Sequence, residues 1–343
     1  IQFTHSASRS FSSHIDTDSI SVFNFFLNDT VKKAAGISSL NYTLYPDQVT
    51  INGISKEKDS SSFFERLFHE NIPQENTIQN ITPSSAKGLV SFTYTNFSKL
   101  YAQLRELTVK KKDSLESYEL FESTSEMGEI YLDSNRAIVL KSIDRTSTID
   151  ALVDHQEIIN TYRNMDIYDI SNDSIFRPMS PLLTNTAINK YTILDDFFIF
   201  ANSEEVLQTI IASYLNNSIL SNEQSFGNCM NNLSDESSVL LVVNSDLLKE
   251  KLEGLFENGI NANDIKNYKR SAFQLIQDDQ FIHFNGILSK YNKRTISNEI
   301  LEEFTITLDD HILVAPHFVI NHRTRQKEIV VQDVNNNLYL ISN

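Results

Sequence analysis

Tryptophan is absent from this 343-residue chain, cysteine occurs once, glycine eight times and proline six. A single cysteine excludes an intramolecular disulfide and any cysteine-rich metal site. Cys229 lies beside Met230 in SFGNCMNNL, which reads as a short helix, so a buried, inert thiol is expected rather than a nucleophile. Phosphate cradles and nucleophile elbows need glycine, because the backbone must approach closely or take positive φ. No G-x-S-x-G, H-E-x-x-H, P-loop or G-x-G-x-x-G string occurs. Without tryptophan or a cofactor fingerprint, a quinoprotein enzyme is disfavoured within this segment. No apolar run approaches the roughly 18 residues that would cross a bilayer as a helix. Positive charge is scarce too: 29 Lys and Arg stand against 45 Asp and Glu, a net charge of −16. Such a surface repels the phosphate backbone, so no nucleic-acid partner is expected, and anionic membranes are disfavoured likewise. The basic run Lys110, Lys111, Lys112 is followed at once by Asp113 and reads as a solvated helix end.

What is present is bulky core material, 22 Phe and 13 Tyr in a chain that is 40% apolar. A chain of this length buries roughly three quarters of its unfolded surface and needs no staple. Two domains, or one large repeated one, are expected.

Short strands come as hairpins around acidic or amide turns. NYTLY and QVTINGI flank Pro46-Asp47; EIYL and AIVLKSI flank Asp133-Ser134-Asn135; YTIL and FFIFA flank Asp195-Asp196. AFQLI and FIHFNGIL flank residues 277–280, and FTITL and ILVAP flank Asp309-Asp310. Asp and Asn accept hydrogen bonds from the turn backbone and tolerate the left-handed region. Between the hairpins run amphipathic patterns. Ser203 is placed to cap a helix with Val206, Leu207, Ile210, Ile211, Tyr214 and Leu215 on one face. Ser245 is read as a cap before Leu247, Leu248, Leu252 and Phe256, and further helices are expected near 63–68, 97–107 and 149–162. The resulting expectation is an α+β protein of repeated antiparallel sheet and hairpin units covered by amphipathic helices, with a short all-β C-terminal tail.

An internal repeat organises the chain. SSVLLVVNSDLLKEKLEG followed by AFQLIQDDQFIHFNGILSK matches SISVFNFFLNDTVKKAAG followed by LNYTLYPDQVTINGISK, and both close on NGI-S-K. The preceding stretches SFGNCMNNLSDESS and SFSSHIDTDSIS also correspond. Residues 1–86 are therefore read as the C-terminal part of a first repeat and 87–308 as a complete second one. Residues 309–343 are a β tail whose KEIVVQDVNNNLYLISN has the rhythm of an opening β-propeller blade. On this reading an earlier part of the first copy precedes Ile1 and the protein continues past Asn343.

The run from Leu194 to Leu248 resembles a family of uncharacterised Bacteroidota envelope proteins. Asn202, Ser203, Glu204, Glu205, Leu220, Phe226, Leu233, Asp235 and Ser237 fit the family pattern, and Ser234 stands where the family usually has proline. The resemblance implies an exported protein of the periplasm or outer envelope surface, with the region placed ahead of a quinoprotein-like propeller. It implies no reaction and carries over no functional residue.

The acidic pairs invite an acid–base reading, but in hairpin turns solvation keeps both carboxylates ionised. Asp309, Asp310, His311, His317 and His322 form the best metal candidate, provided the strand stays regular through Pro316, where proline argues against it. His283, opposite to Phe281 and Phe284 in alternation, is a half-buried strand residue. The sequence thus assigns no catalytic, cofactor or metal residue. It points to a non-enzymatic scaffold or protein-interaction module of a bacterial envelope that holds other envelope proteins. The rivals are a small-ligand or glycan-binding protein using Tyr162, Tyr168 and Phe176 around the loop 166–189, and a hydrolase with a scattered site.

Overall fold

A computed structural model describes residues 9–17, 26, 36–57, 67–107, 118–170, 175–183, 187–253, 265–278, 281–290, 308, 310–320 and 327–341. The chain divides into two units, Ile1–Asn292 and Lys293–Asn343. In the first unit the strands are β1 Arg9–Thr17, β2 Gly36–Leu44, β3 Gln48–Glu57, β4 Gln74–Glu75, β5 Gly88–Thr93, β6 Thr124–Tyr131, β7 Arg136–Ser142 and β8 Ile158–Tyr162. They continue with β9 Met165–Asp169, β10 Lys190–Leu194, β11 Phe197–Ala201, β12 Glu236–Ser237, β13 Val239–Val243, β14 Tyr268–Gln277 and β15 Ile282–Lys290. Six α-helices are described: α1 Phe97–Leu107, α2 Tyr118–Glu122, α3 Arg145–Asp150, α4 Glu204–Leu215, α5 Gln224–Met230 and α6 Ser245–Glu253.

Thirteen of these strands join one sheet in the order β1-β2-β3-β15-β14-β13-β5-β6-β7-β11-β10-β9-β8, with every neighbouring pair antiparallel. β4 and β12 pair separately. The four expected hairpins within this unit form as β2–β3, β6–β7, β10–β11 and β14–β15.

The α+β expectation is overturned. The chain is mostly antiparallel β, dominated by one very large sheet, and its few helices are short, the longest described having twelve residues. The physical reason lies in the middle strands. VLLVV and FFIFA do not alternate apolar with polar, and every residue of β5, β11 and β13 is buried. Alternation therefore sends Val239, Leu241 and Val243 into one core and Leu240 and Val242 into another, on the opposite face. Phe97, Leu100 and Leu104 of α1, Leu120 and Phe121 of α2 and Leu247 and Leu248 of α6 join the first core. Val206, Leu207, Ile210 and Ile211 of α4 and Phe226 and Cys229 of α5 join the second. All buried members of the second core lie between Ile78 and Ile287, and those of the first lie between Leu67 and Phe284 apart from Phe26 and Leu40.

Local expectations fare unevenly. α4 forms where its apolar spacing places it, although Ser203, at the cap position, makes no capping hydrogen bond. α6 is capped by Asn244, whose Oδ1 accepts from the N–H of Asp246 at 3.1 Å and of Leu247 at 2.9 Å, so Ser245 is its first residue instead. The helix expected over 149–162 is replaced by the end of α3, a 3-10 turn at Val153–His155 and the edge strand β8. There pairing with β9 outweighs the local apolar period, and Val153 and Ile158 end up exposed. Residues 63–66 and Phe256 lie outside the described residues. Among the described residues no helix is long and apolar enough to cross a membrane.

Candidate interaction surface

The second unit is a three-stranded antiparallel sheet of β16 Ile312–Ile320, β17 Lys327–Asp333 and β18 Leu338–Ile341, in that order. The β17–β18 turn is built around the buried Asp333. Its carboxylate accepts from the N–H groups of Asn335 and Asn337 at 2.9 and 2.8 Å, from Asn337 Nδ2 at 2.8 Å and from the Tyr339 hydroxyl at 3.0 Å, while Asn336 takes φ 65°. Burial pushes the Asp333 carboxyl up, but the hydrogen bonds from Asn337, Tyr339 and Asn335 outweigh it and hold it below its ordinary value. This sequence-local turn fixes the register Val331↔Tyr339 and Val330↔Leu340.

The register then sorts the side chains. Phe318, Ile329 and Ile341 line up across one face, and His317, Val330 and Leu340 across the other. Both faces present apolar groups to solvent: Phe318 is 75% exposed, Ile320 61%, Leu338 71% and Leu340 60%. Leu313 and Ile312 in β16 are exposed as well. A three-stranded sheet needs an apolar face packed against something to be stable, and monomers rarely leave so many large apolar side chains in water.

The sequence-predicted residues scatter. Asp310, His311 and His317 are exposed. Asp310 accepts from Asn335 Nδ2 at 2.5 Å, and β16 is irregular between Val314 and His317, around Pro316. Asp309 and His322 lie outside the described residues, as do Lys110–Lys112. Among the described residues no group of three His, Cys, Asp or Glu side chains is placed to hold a metal ion. The aromatic trio of the loop is divided by the sheet: Phe176 is buried in the first core, Tyr168 packs against that core, and Tyr162 packs against the second. Tyr168 stacks on Tyr191 with ring centres 4.8 Å apart, and Phe176 meets Phe200 edge-on at 4.9 Å. The three therefore do not line one site. Asp47, Asp133, Asp195, Asp196 and Asp278 are exposed in turns, with His283 Nε2 3.3 Å from Asp278. Cys229 is buried with its thiol 3.5 Å from the Arg270 carbonyl, and burial pushes it up to about 12.

Buried charge is the feature that local patterns did not flag. Glu126, fully buried, accepts from the Thr77 N–H at 2.9 Å, the Thr77 hydroxyl at 2.6 Å, the Ile78 N–H at 3.2 Å and the Ser91 hydroxyl at 2.5 Å. Burial raises its carboxyl and these donors pull it back, with a net rise. Asn76 extends the network from Ser91 to Ser237, which ties β4 and β12 to the sheet. Arg270 donates to Glu223 at 2.9 Å and to the carbonyls of Ala86 and Ser84 at 2.9 and 2.6 Å. On the other face Glu129 lies under Arg136 at 3.6 Å, and both Arg136 and Lys251 approach the ring of Tyr131. Burial drives the Lys251 ammonium down to about 8. The signal was a charged residue inside an apolar strand, as in EMGEIY and KRSAFQLI. A cleft of about 490 Å³ between α2 and α3 is lined by Glu119, Glu122, Asp144 and Asp150, where Asp144 caps α3. These carboxylates face water or a helix end. No family model, no curated protein and no solved structure matches this chain.

Proposed function

We propose that this chain is a non-enzymatic scaffold or protein-interaction module of a Gram-negative cell envelope, exported to the periplasm or outer surface. Its partner-facing surface is the sheet of residues 312–341. The observation that carries the reading is the exposure of large apolar side chains on both faces of that sheet. β16, ILVAPHFVI, bears no acidic or basic group besides His317, so the chemistry it fits is another apolar β-sheet face, packed at roughly 10 Å with interdigitating side chains. The division into repeats at 1–86 and 87–308 ahead of a β tail belongs to the same proposal. The envelope location draws its support from the family-like pattern of residues 194–248. The buried charges support the non-enzymatic half, since Glu126 and Arg270 spend their hydrogen bonds joining loops to the sheet.

The test compares the native chain with the double variant Phe318→Asp, Leu338→Asp. Crosslinking in intact cells followed by mass spectrometry should recover one reproducible β-rich partner with the native chain and lose it with the variant. Equal recovery from both, or none from either, refutes the 312–341 surface.

A further inference from the structure

Hairpins β2–β3 and β14–β15 are the same structure twice. Their residue numbers differ by 233 from Leu44↔Val49, which corresponds to Gln277↔Ile282, through Asn41↔Asn52 and Gln274↔Asn285, to Ile37↔Lys56 and Arg270↔Ser289, beyond which β14 shifts register at Tyr268. Both turns close with the same backbone bond, Tyr45 N–H to the Gln48 carbonyl at 2.8 Å and Asp278 N–H to the Phe281 carbonyl at 2.9 Å. The shared glycine lies against an apolar side chain in both. Gly53 lies opposite Leu40, and a Cβ there would come within 2.6 Å of its Cδ2. Gly286 lies opposite Phe273, and a Cβ there would come within 2.8 Å of its ring. In each copy a buried apolar side chain folds over the glycine.

The two hairpins meet along β3 and β15, and they meet symmetrically. Asn52 pairs with Asn285, the equivalent residue, so Gly53 faces Phe284 while Gly286 faces Ile51. An amide row, Asn41, Asn52, Asn285 and Gln274, crosses four strands with a local two-fold axis at its centre. Among the described residues the equivalence stops at the hairpins: the strand beside β2 is β1, which the sequence aligns with the segment that folds as α5. Strands that pair edge to edge about a two-fold axis are the hallmark of an isologous contact.

We infer that the outer edge of β15 is a docking strand for a second copy of its own repeat, and that in this chain hairpin β2–β3 occupies it as that copy. Removing β3 leaves the eight residues Ile282–Ser289 of β15 unpaired on that edge, among them the buried Ile282, Phe284 and Ile287, a template that another β15 satisfies in the same register.

The experiment uses the full chain with Ile51→Pro and Asn52→Pro, which take N–H groups from the middle of β3, the strand that pairs with β15. Light scattering should give twice the monomer mass for this variant at concentrations where the native chain shows no such doubling, which separates the β15 edge from the 312–341 surface that both chains share. In the variant Asn285→Cys should form an intermolecular disulfide, because opposed strand residues lie about 4.5–5.5 Å apart. His283→Cys, which would face residue 287 of the second copy, should not. A folded monomer, or a dimer that Asn285→Cys fails to link, overturns the inference. A second measurement keeps the native β3: Asn52→Cys with Asn285→Cys in the full chain should close an intramolecular disulfide, and failure to close it overturns the inference as well.

Discussion

β13 and β16 are equally apolar, VLLVV against ILVAPHFVI, yet every residue of the first is buried and every residue of the second is exposed. The difference is not in the strands. β13 lies between β5 and β14 with a core on each face, whereas β16 is an edge strand paired with β17, its large apolar side chains in solvent. Burial of an apolar strand is decided by what the chain, or a partner, brings to its faces. This is why the exposed strand, and not the buried one, belongs to the surface we propose for a partner.

The comparison breaks most sharply with a charge in each strand. Leu241→Asp buries an unpaired carboxylate and should cost on the order of 5 kcal/mol, enough to unfold the chain at 25 °C. Phe318→Asp should leave the unfolding free energy, from urea titration, within about 0.5 kcal/mol of the native chain's. Equal losses from the two would mean that β16 is covered after all. Next in size, Arg270→Ala leaves Glu223 and two carbonyls without their partner and should cost about 3–5 kcal/mol in urea unfolding. Glu126→Gln turns an amide NH2 toward hydrogen-bond donors and should cost about 1–3 kcal/mol. A native-like midpoint for this variant would remove the cage from the account of the core.

The last effect expected is one of pH. Lys251 has a folded value near 8, below its ordinary one, so between pH 8 and about 10.4 the unfolded chain holds a proton that the folded chain has lost. Folding should therefore gain stability as pH rises through that window, seen as a rise of a few degrees in Tm. Lys251→Met should lack the rise, and a rise persisting in that variant would assign it elsewhere.

The sequence was most legible where residues close in the chain decide the structure. Pro46-Asp47, Asp133-Asn135 and Asp195-Asp196 mark their hairpins because turn chemistry is local, and the apolar period of 204–215 marks α4 for the same reason. Asn244 was passed over as a cap because Ser245 beside it carries the same signal, and only the backbone geometry separates them. The apolar period of 149–162 misled because β8 follows its partner β9 rather than its own helical preference. Glu126 and Arg270 were invisible as a site, since their partners Thr77, Ser91, Ser84 and Glu223 lie tens to nearly two hundred residues away.

By itself, then, the sequence determined the hairpins, their turns, the position of α4 and the recurrence of one hairpin. The tertiary structure decided the rest: thirteen strands in one sheet, cores on both of its faces, buried charges caged by distant loops, and a β3–β15 seam about Asn52 and Asn285. Turns and helix faces are set by neighbours a few bonds away. Strand order and burial are set by pairings from tens to more than two hundred residues apart, whose register no local pattern encodes.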